Sequence, residues 1–429
     1  MIALSLNEVA RLAPGRLERL ADEITGVKVD SRLVEPGDLF VAVGRGAEFA
    51  GEARERGAAA TLVADDVLAA LAALAGAVRG RSGATVVAIT GSIGKTSTKD
   101  LLGALTDPVA RTVVAEHGYN NEIGVPLTLC RIEADTEVVL VEMGMRGERQ
   151  IAELCAIARP DLGVITAIGP VHLELLGSLE NVARAKAELL AALPPGAAAV
   201  VPGGVPELEP HLRRDLQLRF FSAADVKHVV VEGDATRATF ALGPRELELS
   251  FNFVARHQLV NALAALHAYD ALGLPLERAS EGAGRVAFSR WRGEELPLDG
   301  DGLLINDAWN ANPPAMRAAL EHLVDRAGPR RRVAVLGDMA ELGPAEREYH
   351  REVGRHAAEI GVDVLVAVGP LAELYTKAGG IPTVAWVATP EDAVRALRGL
   401  LRPGDCVLVK ASRSVGLEAV AEALAGAPV

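Results

Sequence analysis

Short apolar runs alternate with longer helical segments along most of the chain. Residues 86–89, 138–141 and 162–168 are rich in Val, Ile, Leu and Ala, a composition typical of strands buried in a parallel sheet. Further runs of the same kind occur at residues 302–305, 332–336, 364–368, 384–386 and 406–409. This alternation predicts an α/β fold with two consecutive sheet domains.

The first 80 residues precede this alternation, and their pattern is that of a small αβ domain. Strands are predicted at residues 26–29 and 38–43, and a polar loop between them contains Ser31 and Arg32. The guanidinium of Arg32 suits a diphosphate or a base. The same polar sequence is also common in solvated turns, so the residues alone leave both roles open.

Two short stretches have the composition of domain junctions. Residues 79–83 are rich in Arg, Ser and Gly, and residues 294–302 are acidic and glycine-rich. We therefore predict three domains. They are a small N-terminal αβ domain at residues 1–80, a central ATP-binding domain with a mostly parallel sheet at 81–293, and a C-terminal αβ sheet domain at 294–429.

A glycine-containing turn follows the strand at residues 86–89 and leads directly into a helix. Its glycines let backbone N–H groups curl around an anion, and the dipole at the helix start attracts the same charge. Lys95 adds a mobile positive charge, and the hydroxyl of Thr96 suits a phosphate-bound Mg²⁺. Ile89 stands where the general phosphate-loop pattern has a glycine, so the motif is a shortened one. The residues predicted to contact nucleotide phosphates are Gly91, Ser92, Ile93, Gly94, Lys95, Thr96 and Ser97.

Two more polar residues follow strands of the same predicted sheet. Glu142 comes directly after residues 138–141, and His172 follows the strand at 162–168. Because the carboxyl ends of parallel strands share one edge of a sheet, both side chains are predicted near the phosphates. Glu142 suits a Mg²⁺ ligand, whereas His172 suits a contact with either a metal or the substrate.

Lys186 lies among small apolar residues in a predicted helix at 179–190. Burial would lower the pKa of its amine, and a neutral amine reacts with CO₂ to form a carbamate able to hold a second Mg²⁺. The alternative is a surface lysine whose aliphatic stem packs along the helix. The local sequence does not decide between the two.

Amide side chains mark two further candidate binding elements. Asn120 and Asn121 lie in a polar, glycine-bearing stretch at residues 117–126, which is typical of a binding loop. Asn261 lies on an alanine-rich helix predicted at residues 257–272. It either packs locally or reaches a ligand such as adenine.

The composition narrows the classes of partner and compartment. The chain has 57 acidic and 44 basic residues, a formal charge of −13 and no basic block, which argues against a nucleic-acid partner. Cys130, Cys155 and Cys406 are scattered, which favours core residues in a reducing compartment over disulfides. The first residues are not those of a signal peptide, and the longest apolar run, 67–78, is too short to span a bilayer. A cytoplasmic protein without membrane insertion is therefore predicted.

Several of these motifs occur together in one known family. The matching motifs, in chain order, are Thr90-Gly91-Ser-Ile-Gly94-Lys95-Thr96-Ser97, Asn120-Asn121-x-x-Gly124-x-Pro126, Glu142-Met-Gly144, His172, Lys186 and His257-x-x-x-Asn261. They resemble the Mur ligases, ATP-dependent amide-forming enzymes of peptidoglycan synthesis. The resemblance extends along the whole chain and implies an N-terminal domain for a UDP moiety, a central P-loop ATPase and a C-terminal Rossmann-like domain.

Two motifs of the last domain indicate the type of ligase. Asp307-x-x-Asn310-Ala-Asn312-Pro313, and Gly-Asp-Met-Ala-Glu-Leu-Gly at residues 337–343, look most like the family member that adds D-alanyl-D-alanine to UDP-N-acetylmuramoyl tripeptide. The Asp-Asn-Pro-Arg motif typical of the ligase for the third residue is absent from the sequence. The resemblance implies a monomeric ATP-dependent ligase that acts through an acyl phosphate, with these two substrates as partners.

The resemblance also implies a role for each matching residue. The residues that would contact ATP, besides the phosphate loop, are Asn261, Arg292 and Asp307. Thr96 and Glu142 would hold a first Mg²⁺, and His172 with carbamylated Lys186 a second. The implied catalytic residues are Lys95, His172, Lys186 and Arg292, and the implied substrate contacts are Ser31 and Arg32 for UDP and Asn120 and Asn121 for the muramoyl part.

Two residues depart from the family pattern. Gln258 replaces an asparagine, which makes one nucleotide contact uncertain, and Trp309 replaces a tyrosine, which keeps an aromatic ring.

Other interpretations fit part of the pattern. The third-residue muramoyl ligase and a folylpolyglutamate-type ligase differ from the ligase that adds D-alanyl-D-alanine in the amine that they accept. A nucleotide-switched binding protein would hydrolyse ATP without joining substrates and would need no UDP-sugar site. A kinase would leave the two flanking domains without a role.

Overall fold

The structure is a computed structural model of the chain, and it describes residues 1–426. Its N-terminal part is a small mixed sheet with helices. The strands and helices are β1 (Leu4–Ser5), α1 (Leu6–Leu12), β2 (Gly15–Arg19), β3 (Glu23–Ile24), β4 (Gly26–Lys28), β5 (Asp38–Val41), α2 (Ala50–Glu55), β6 (Ala60–Ala64) and α3 (Val67–Arg81). Four strands form a sheet in the order β2-β6-β5-β4, in which only β2 is antiparallel to its neighbour. Asp66 caps α3, because its carboxylate accepts a hydrogen bond from the Ala69 backbone N–H.

The central part is built on a sheet of six parallel strands. Its elements are β7 (Thr85–Thr90), α4 (Lys95–Thr106), β8 (Thr112–Val114), α5 (Gly124–Leu129), β9 (Val138–Glu142), α6 (Gln150–Ala158), β10 (Leu162–Ile165), α7 (Leu173–Leu176), α8 (Leu179–Ala192), β11 (Ala198–Pro202), β12 (Gln217–Phe221), β13 (Val226–Glu232), β14 (Ala235–Leu242), β15 (Arg245–Phe251), α9 (His257–Ala271) and α10 (Ala279–Ala283). The strand order β12-β11-β10-β7-β9-β8 places β7 between β10 and β9. Strands β13 to β15 form a separate antiparallel sheet. The loops after β7, β9 and β10 therefore meet at one edge.

The C-terminal part is a second sheet with helices on both faces. Its elements are β16 (Glu294–Leu298), β17 (Gly302–Asn306), α11 (Pro313–Ala327), β18 (Arg332–Gly337), α12 (Glu346–Glu359), β19 (Val364–Val368), β20 (Thr383–Val387), α13 (Pro390–Leu400), β21 (Cys406–Lys410) and α14 (Glu418–Ala425). The strand order is β16-β17-β21-β18-β19-β20, and only β16 runs antiparallel to its neighbour. Short 3₁₀ helices lie at Ser31–Leu33, Gly44–Phe49, Glu209–His211, Ala223–Asp225, Leu276–Arg278, Gly343–Ala345, Ala372–Ala378 and Arg413–Val415.

The hydrophobic cores do not follow the three parts one to one. One cluster contains residues of the N-terminal part, such as Leu62 and Leu74, together with Val139 and Leu189 of the central part. A second cluster fills the other face of the central sheet, beneath α4, α9 and the antiparallel strands. The C-terminal sheet has a separate cluster on each face. The N-terminal and central parts thus share a core, while the C-terminal part has its own.

The predicted α/β fold class is confirmed, and each predicted apolar run contains an observed strand, although β2, β6 and β11 were not among the predicted strands. Two predicted junctions need correction. Residues 79–81 are the last turn of α3, and Arg79 is held there by hydrogen bonds to the carbonyls of Ala84 and Ala158, at 3.0 and 3.1 Å. Most of the predicted junction at 294–302 is strand β16, which pairs with β17. The domain boundaries at 80/81 and 293/294 stay predictions.

All three cysteines are buried and free, as the sequence indicated. Burial raises the pKa of Cys130 and Cys155 to about 12 and that of Cys406 to about 11, so the thiols stay protonated at neutral pH. Among residues 1–426, none of the helices combines the length and the apolar character that a membrane span requires.

Candidate active site

The phosphate loop joins β7 to α4 and is tightly packed. Gly91 and Gly94 have φ angles of +148° and +80°, which side-chain-bearing residues rarely adopt. A Cβ on Gly94 would lie 2.3 Å from Oδ1 of Asn261, and the Ser92 hydroxyl donates to the Gly169 carbonyl at 3.0 Å. The loop is thus fixed against α9 and against the segment after β10. Lys95 begins α4, and its Nζ donates to the Gly91 carbonyl at 2.8 Å.

A carboxylate and a hydroxyl meet at the start of α4. The Thr96 hydroxyl donates to Oε2 of Glu142 at 2.8 Å, and Nδ2 of Asn120 donates to Oε1 of the same carboxylate at 2.9 Å. Arg292, from the segment before β16, donates through Nη2 to the Thr96 hydroxyl at 3.1 Å. Burial acts to raise the pKa of Glu142, but the charges of Lys95 and Arg292, the hydrogen bond from Asn120 and the charge of Lys99 together lower it. Glu142 is therefore an ionised carboxylate at neutral pH, as a Mg²⁺ ligand must be.

Lys186 is buried on α8, with 2 % of its surface exposed. Burial lowers the pKa of its amine well below the usual value, and the nearby charge of Lys95 lowers it further. Within residues 1–426, its Nζ makes no hydrogen bond or ion pair. The surface location left open by the sequence is therefore wrong, and Lys186 carries a neutral amine at a pH where an exposed lysine is charged.

His172 lies at the turn before α7, with φ +53°. Its Nδ1 contacts the carboxylate of Glu341, a residue of the C-terminal part. Burial lowers the pKa of His172 despite that carboxylate, and the amines of Lys186 and Lys95, when protonated, lower it further. His172, Lys186 and Lys95 are thus close enough to influence one another electrostatically, at the edge where Thr96 and Glu142 lie.

A cavity of about 270 Å³ opens beside the phosphate loop, between the central and C-terminal parts. It is lined by residues that include Phe253, His257, Gln258, Phe288, Arg292 and His322. The predicted ATP contact Asn261 is adjacent, since its Nδ2 donates to Oε1 of Gln258 at 2.8 Å. Burial, followed by the charge of His322, lowers the pKa of His257 to about 4, so this imidazole stays neutral. The size and the mixed aromatic and polar lining suit a heterocyclic base.

Aromatic rings close the other side of the site. Trp291 stacks on Trp309 with ring centroids 5.8 Å apart, and His117 lies edge-on to Trp309 at 3.9 Å. The guanidinium of Arg413 lies 4.9 Å from the centre of the Trp291 ring. Both ring nitrogens of His117 and Nε of Arg292 are buried, and they have no hydrogen-bond partner among the described residues. Such buried polar atoms call for a partner from outside the chain, such as a ligand or a water molecule.

The remaining predicted residues have identifiable partners. The carboxylate of Asp307 accepts a hydrogen bond at 2.6 Å from the buried Lys410, a residue that the sequence did not single out. Oδ1 of Asn121 accepts from the Gly124 N–H at 2.9 Å, so this side chain stabilises the start of α5, whereas Asn120 belongs to the carboxylate cluster.

The N-terminal part has its own depression, with a volume of about 420 Å³. Its lining includes Ser31, Arg32, Arg45, Phe49 and Glu52. Ser31 donates to Glu52 at 2.7 Å, and the exposed Arg32 pairs with Asp30, whose pKa it lowers to about 2. The predicted UDP contacts therefore line a real depression, which contains two arginines.

No group of three or more His, Cys, Asp or Glu side chains suited to a metal occurs in the described part of the chain. Thr96 and Glu142 offer the oxygen donors that Mg²⁺ prefers, but the amine of Lys186 and the imidazole of His172 do not. A second Mg²⁺ fits these residues only if Lys186 gains oxygen atoms. No role was predicted from the sequence for His117, Glu341, Lys410 or Arg413, although the first two lie in stretches that it highlighted, because their contacts depend on tertiary packing.

Comparisons with known proteins cover the whole chain. Residues 89–269 match the Mur ligase middle domain and residues 291–413 the Mur ligase, glutamate ligase domain. The chain is 33 % identical to the UDP-N-acetylmuramoyl-tripeptide--D-alanyl-D-alanine ligase of Mycobacterium tuberculosis H37Rv, over 99 % of this chain and 98 % of the relative. It is 30 % identical to the enzyme of that name from Escherichia coli K12, over 99 % of each chain.

Solved structures with the same overall fold are also found. A crystal structure of MurF from Acinetobacter baumannii has a TM-score of 0.85 at 26 % identity and covers 99 % of each chain. MurF ligase from Thermotoga maritima in complex with ADP has a TM-score of 0.79 at 29 % identity, covering 93 % of this chain and 97 % of that one.

Proposed function

The chain belongs to the Mur ligase family, and from this premise we propose that it joins D-alanyl-D-alanine to UDP-N-acetylmuramoyl tripeptide with hydrolysis of ATP to ADP and phosphate. The relatives that carry this name align with it from end to end. One observation in the structure supports the chemistry most strongly. A phosphate loop, an ionised carboxylate at Glu142 and a buried neutral amine at Lys186 lie at the same sheet edge.

The ATP site is proposed to extend from the phosphate loop into the adjacent cavity. Gly91 to Ser97 supply backbone N–H groups, and Lys95 supplies charge to the β and γ phosphates. The base occupies the cavity next to Asn261 and Gln258, and the orphaned Nε of Arg292 finds its partner on the nucleotide. Asp307, held by Lys410, faces the ribose.

Two Mg²⁺ ions are proposed to accompany ATP. Thr96 and Glu142 hold the first through oxygen atoms, and His172 with carbamylated Lys186 holds the second. The carbamate forms when the neutral amine nitrogen of Lys186 attacks the carbon of CO₂ and loses a proton, which gives an N-bound carboxylate. When bound, the metal ions neutralise charge on the phosphates.

Amide formation needs an activated carboxylate, because an ionised acid and an ammonium ion do not condense in water. A terminal oxygen of the tripeptide carboxylate attacks the γ-phosphorus of ATP, the bond to the β–γ bridging oxygen breaks, and ADP leaves. The uncharged amine of D-alanyl-D-alanine then attacks the acyl carbon, loses a proton to solvent, and phosphate leaves with the bonding pair. Lys95 and Arg292 supply positive charge around the transferring group.

The UDP moiety is proposed to bind the N-terminal depression. Arg32 and Arg45 suit its diphosphate, and Ser31 and Glu52 suit its hydroxyl groups. Asn120 is oriented by Glu142 and lies at the sheet edge where the muramoyl peptide must arrive, and Asn121 is adjacent to it. We further propose that the protein is cytoplasmic, since UDP-linked precursors and ATP are cytoplasmic. We also propose that it is a monomer with domains at residues 1–80, 81–293 and 294–429.

The test is phosphate release from ATP and Mg²⁺, with UDP-muramoyl tripeptide and D-alanyl-D-alanine supplied singly and together, followed by mass spectrometry of the products. We expect release that requires both substrates, and a product whose mass is the sum of the two less one water. Parallel reactions supply a single amino acid, such as lysine or glutamate, with the acceptor that such a ligase uses. Ligation there and not with D-alanyl-D-alanine would assign the protein to another ligase of the superfamily. ATP hydrolysis that ignores both substrates would refute the proposal.

A further inference from the structure

The loop at residues 337–343 carries Glu341 and is firmly held within the C-terminal part. Oδ1 of Asp338 accepts from the Ala372 N–H at 2.6 Å. The Met339 N–H donates to Nε2 of His350 at 3.0 Å, and the Ala340 N–H donates to the Ser412 hydroxyl at 2.9 Å. Two side chains from the rest of this part, His350 and Ser412, thus fix the backbone just before Glu341, and the loop's own Asp338 side chain adds a hydrogen bond from the Ala372 backbone. The Glu341 carboxylate is therefore presented by a rigid support rather than by a flexible turn.

This loop is seated on the turn of the central part that carries His172. The Glu341 carboxylate contacts Nδ1 of His172, and the Glu341 carbonyl accepts from the Glu174 N–H at 3.4 Å. Gly343 has φ +65°, and a Cβ there would lie 3.2 Å from the backbone of Leu173 and Glu174. A side chain at residue 343 would crowd this backbone, so the contact between the two parts is made at the backbone level as well as through the side chains.

Both partners of the contact have unusual backbone conformations. His172 and Glu341 have φ angles of +53° and +63°, in the left-handed region that residues with a side chain rarely occupy. Residues persist in such conformations when the surrounding structure fixes them, and they are frequent at functional sites. Here the two strained residues face each other across the boundary between the central and C-terminal parts.

A carboxylate can only accept a hydrogen bond, so the contact requires a proton on Nδ1 of His172. The lone pair of a neutral imidazole is then on Nε2, which makes no hydrogen bond to residues 1–426. A metal ligand of this type needs the second nitrogen free and the ring held in one orientation. The geometry at His172 meets both requirements.

We infer that Glu341 is a positioning residue: by accepting the Nδ1 proton of His172 from across the domain boundary, it keeps Nε2 available to a divalent cation only while the C-terminal domain is docked. The inference rests on the proposed role of His172 as a metal ligand. It makes domain docking and cation binding mutually dependent, because each stabilises the same orientation of one ring. Arg146, whose Nε lies 3.6 Å from Oε1 of Glu341, is mostly exposed and adds little.

The decisive variant is Glu341→Gln, because an amide has the same size but can accept or donate. A contact that only holds the domains together would tolerate the amide, since a hydrogen bond to either tautomer remains possible. In Glu341→Gln, however, the side chain would no longer determine which ring nitrogen of His172 carries the proton. Glu341→Ala removes the contact altogether, and Glu373→Gln is the matched control, a glutamate of the same domain in an exposed pair with Lys377.

The first readout is the tautomer of His172 in the metal-free full-length protein, from long-range ¹H–¹⁵N spectra of histidine-labelled samples at about pH 8, well above the ordinary histidine pKa. His172→Gln assigns the signal. We expect the Nδ1–H tautomer in the wild type and in Glu373→Gln, and a mixture in Glu341→Gln and Glu341→Ala. A wild-type signal from the Nε2–H tautomer, or an unchanged tautomer in Glu341→Gln, would overturn the inference.

The second readout is Mn²⁺ affinity in the presence of ADP, measured by electron paramagnetic resonance. Loss of a group that orients a histidine ligand weakens metal binding by roughly 10-fold or more, and we expect this for both Glu341 variants but not for Glu373→Gln. If His172→Gln weakens Mn²⁺ binding and the Glu341 variants do not, the inference fails while the metal role of His172 stands. If His172→Gln itself has no effect, the proposed metal role fails.

Discussion

The central domain meets its two neighbours in different ways. Toward the N-terminal domain the contact is apolar, and α3 lies against α5 and α6 with Leu71, Leu74 and Val78 in the shared core. Toward the C-terminal domain the contacts are ion pairs, stacked rings and a histidine–carboxylate contact, exemplified by Trp309 on His117 and Glu341 on His172. Separating the N-terminal domain from the central one would expose a continuous core. Separating the C-terminal domain would instead expose mostly groups that water can solvate. We therefore expect that separating the C-terminal part from the central part costs less free energy than separating the N-terminal part.

The largest effect is expected in the shared core. Leu74→Ala removes a fully buried side chain and should lower the free energy of unfolding by about 2–5 kcal/mol. The matched variant is Leu397→Ala, which is equally buried but lies in a core of the C-terminal domain. Calorimetry with hydrogen-exchange mass spectrometry should show Leu74→Ala destabilising the N-terminal and central domains together, and Leu397→Ala the C-terminal domain alone. One common transition shifted by both variants would contradict the comparison.

Lys186→Met, in the active site next to the polar domain contact, should affect activity far more than stability. Removing the carbamate precursor should reduce ligation on the order of 10²–10³-fold, the usual cost of losing one charge-stabilising group, and excess bicarbonate should not restore it. Phosphate release gives the measurement, and Lys227→Met, at an exposed lysine, is the control. Activity within a few-fold of the wild type would rule out the carbamate.

The same variant changes the pH dependence of stability. The folded-state pKa of Lys186 lies well below the ordinary lysine value of 10.5, so the unfolded chain binds more protons than the folded one between those two values. The wild-type free energy of unfolding, measured relative to Lys186→Met in bicarbonate-free urea titrations, should therefore rise with pH across that interval and level off near 10.5. A difference that falls or stays constant with pH would mean that the amine is not buried in solution.

Trp309→Ala removes an aromatic contact between the central and C-terminal domains and should have an effect of intermediate size on nucleotide affinity. The stacking of Trp309 on Trp291 and His117 contributes about 0.5–1.5 kcal/mol beyond burial, so the variant should weaken docking of the C-terminal part and lower nucleotide affinity by up to about 10-fold. The chain has three tryptophans, so Trp386→Phe leaves only the stacked pair emitting. Nucleotide titrations of that variant should change the emission. Unaltered nucleotide affinity in Trp309→Ala would show that the stacked rings do not contribute to nucleotide binding.

The smallest effect is expected at an exposed ion pair between the same two domains. Arg256 lies 3.4 Å from Asp325, and both side chains are well exposed. Arg256→Ala should change the free energy of unfolding by less than about 1 kcal/mol, because solvent screens such pairs. Chemical denaturation of the wild type and the variant provides the measurement. A larger change would show that the polar interface carries structural weight comparable with the shared core.

The sequence predicted those parts of the site that lie within one strand-to-loop unit. Lys95 and Thr96 follow a glycine turn, and Glu142 ends a buried strand, so local pattern and sheet topology sufficed to bring them together. Glu341 could not be predicted as a partner of His172, because 169 positions separate them and only tertiary packing joins them. The end of α3 was misread because arginines near a helix C-terminus resemble a polar linker in composition, although Arg79 in fact satisfies carbonyl groups.

The burial of α3 also has a consequence for synthesis of the chain. The helix ends at Arg81, whereas its partners α5 and α6 lie at Gly124–Leu129 and Gln150–Ala158, so nearly eighty further residues must be made before both partners cover the apolar face of α3. At typical translation rates this takes on the order of several seconds, a period in which the nascent chain displays Leu71, Leu74 and Val78. The first domain to leave the ribosome is thus not the first to complete its fold, and a fragment ending near residue 81 is expected to aggregate rather than fold.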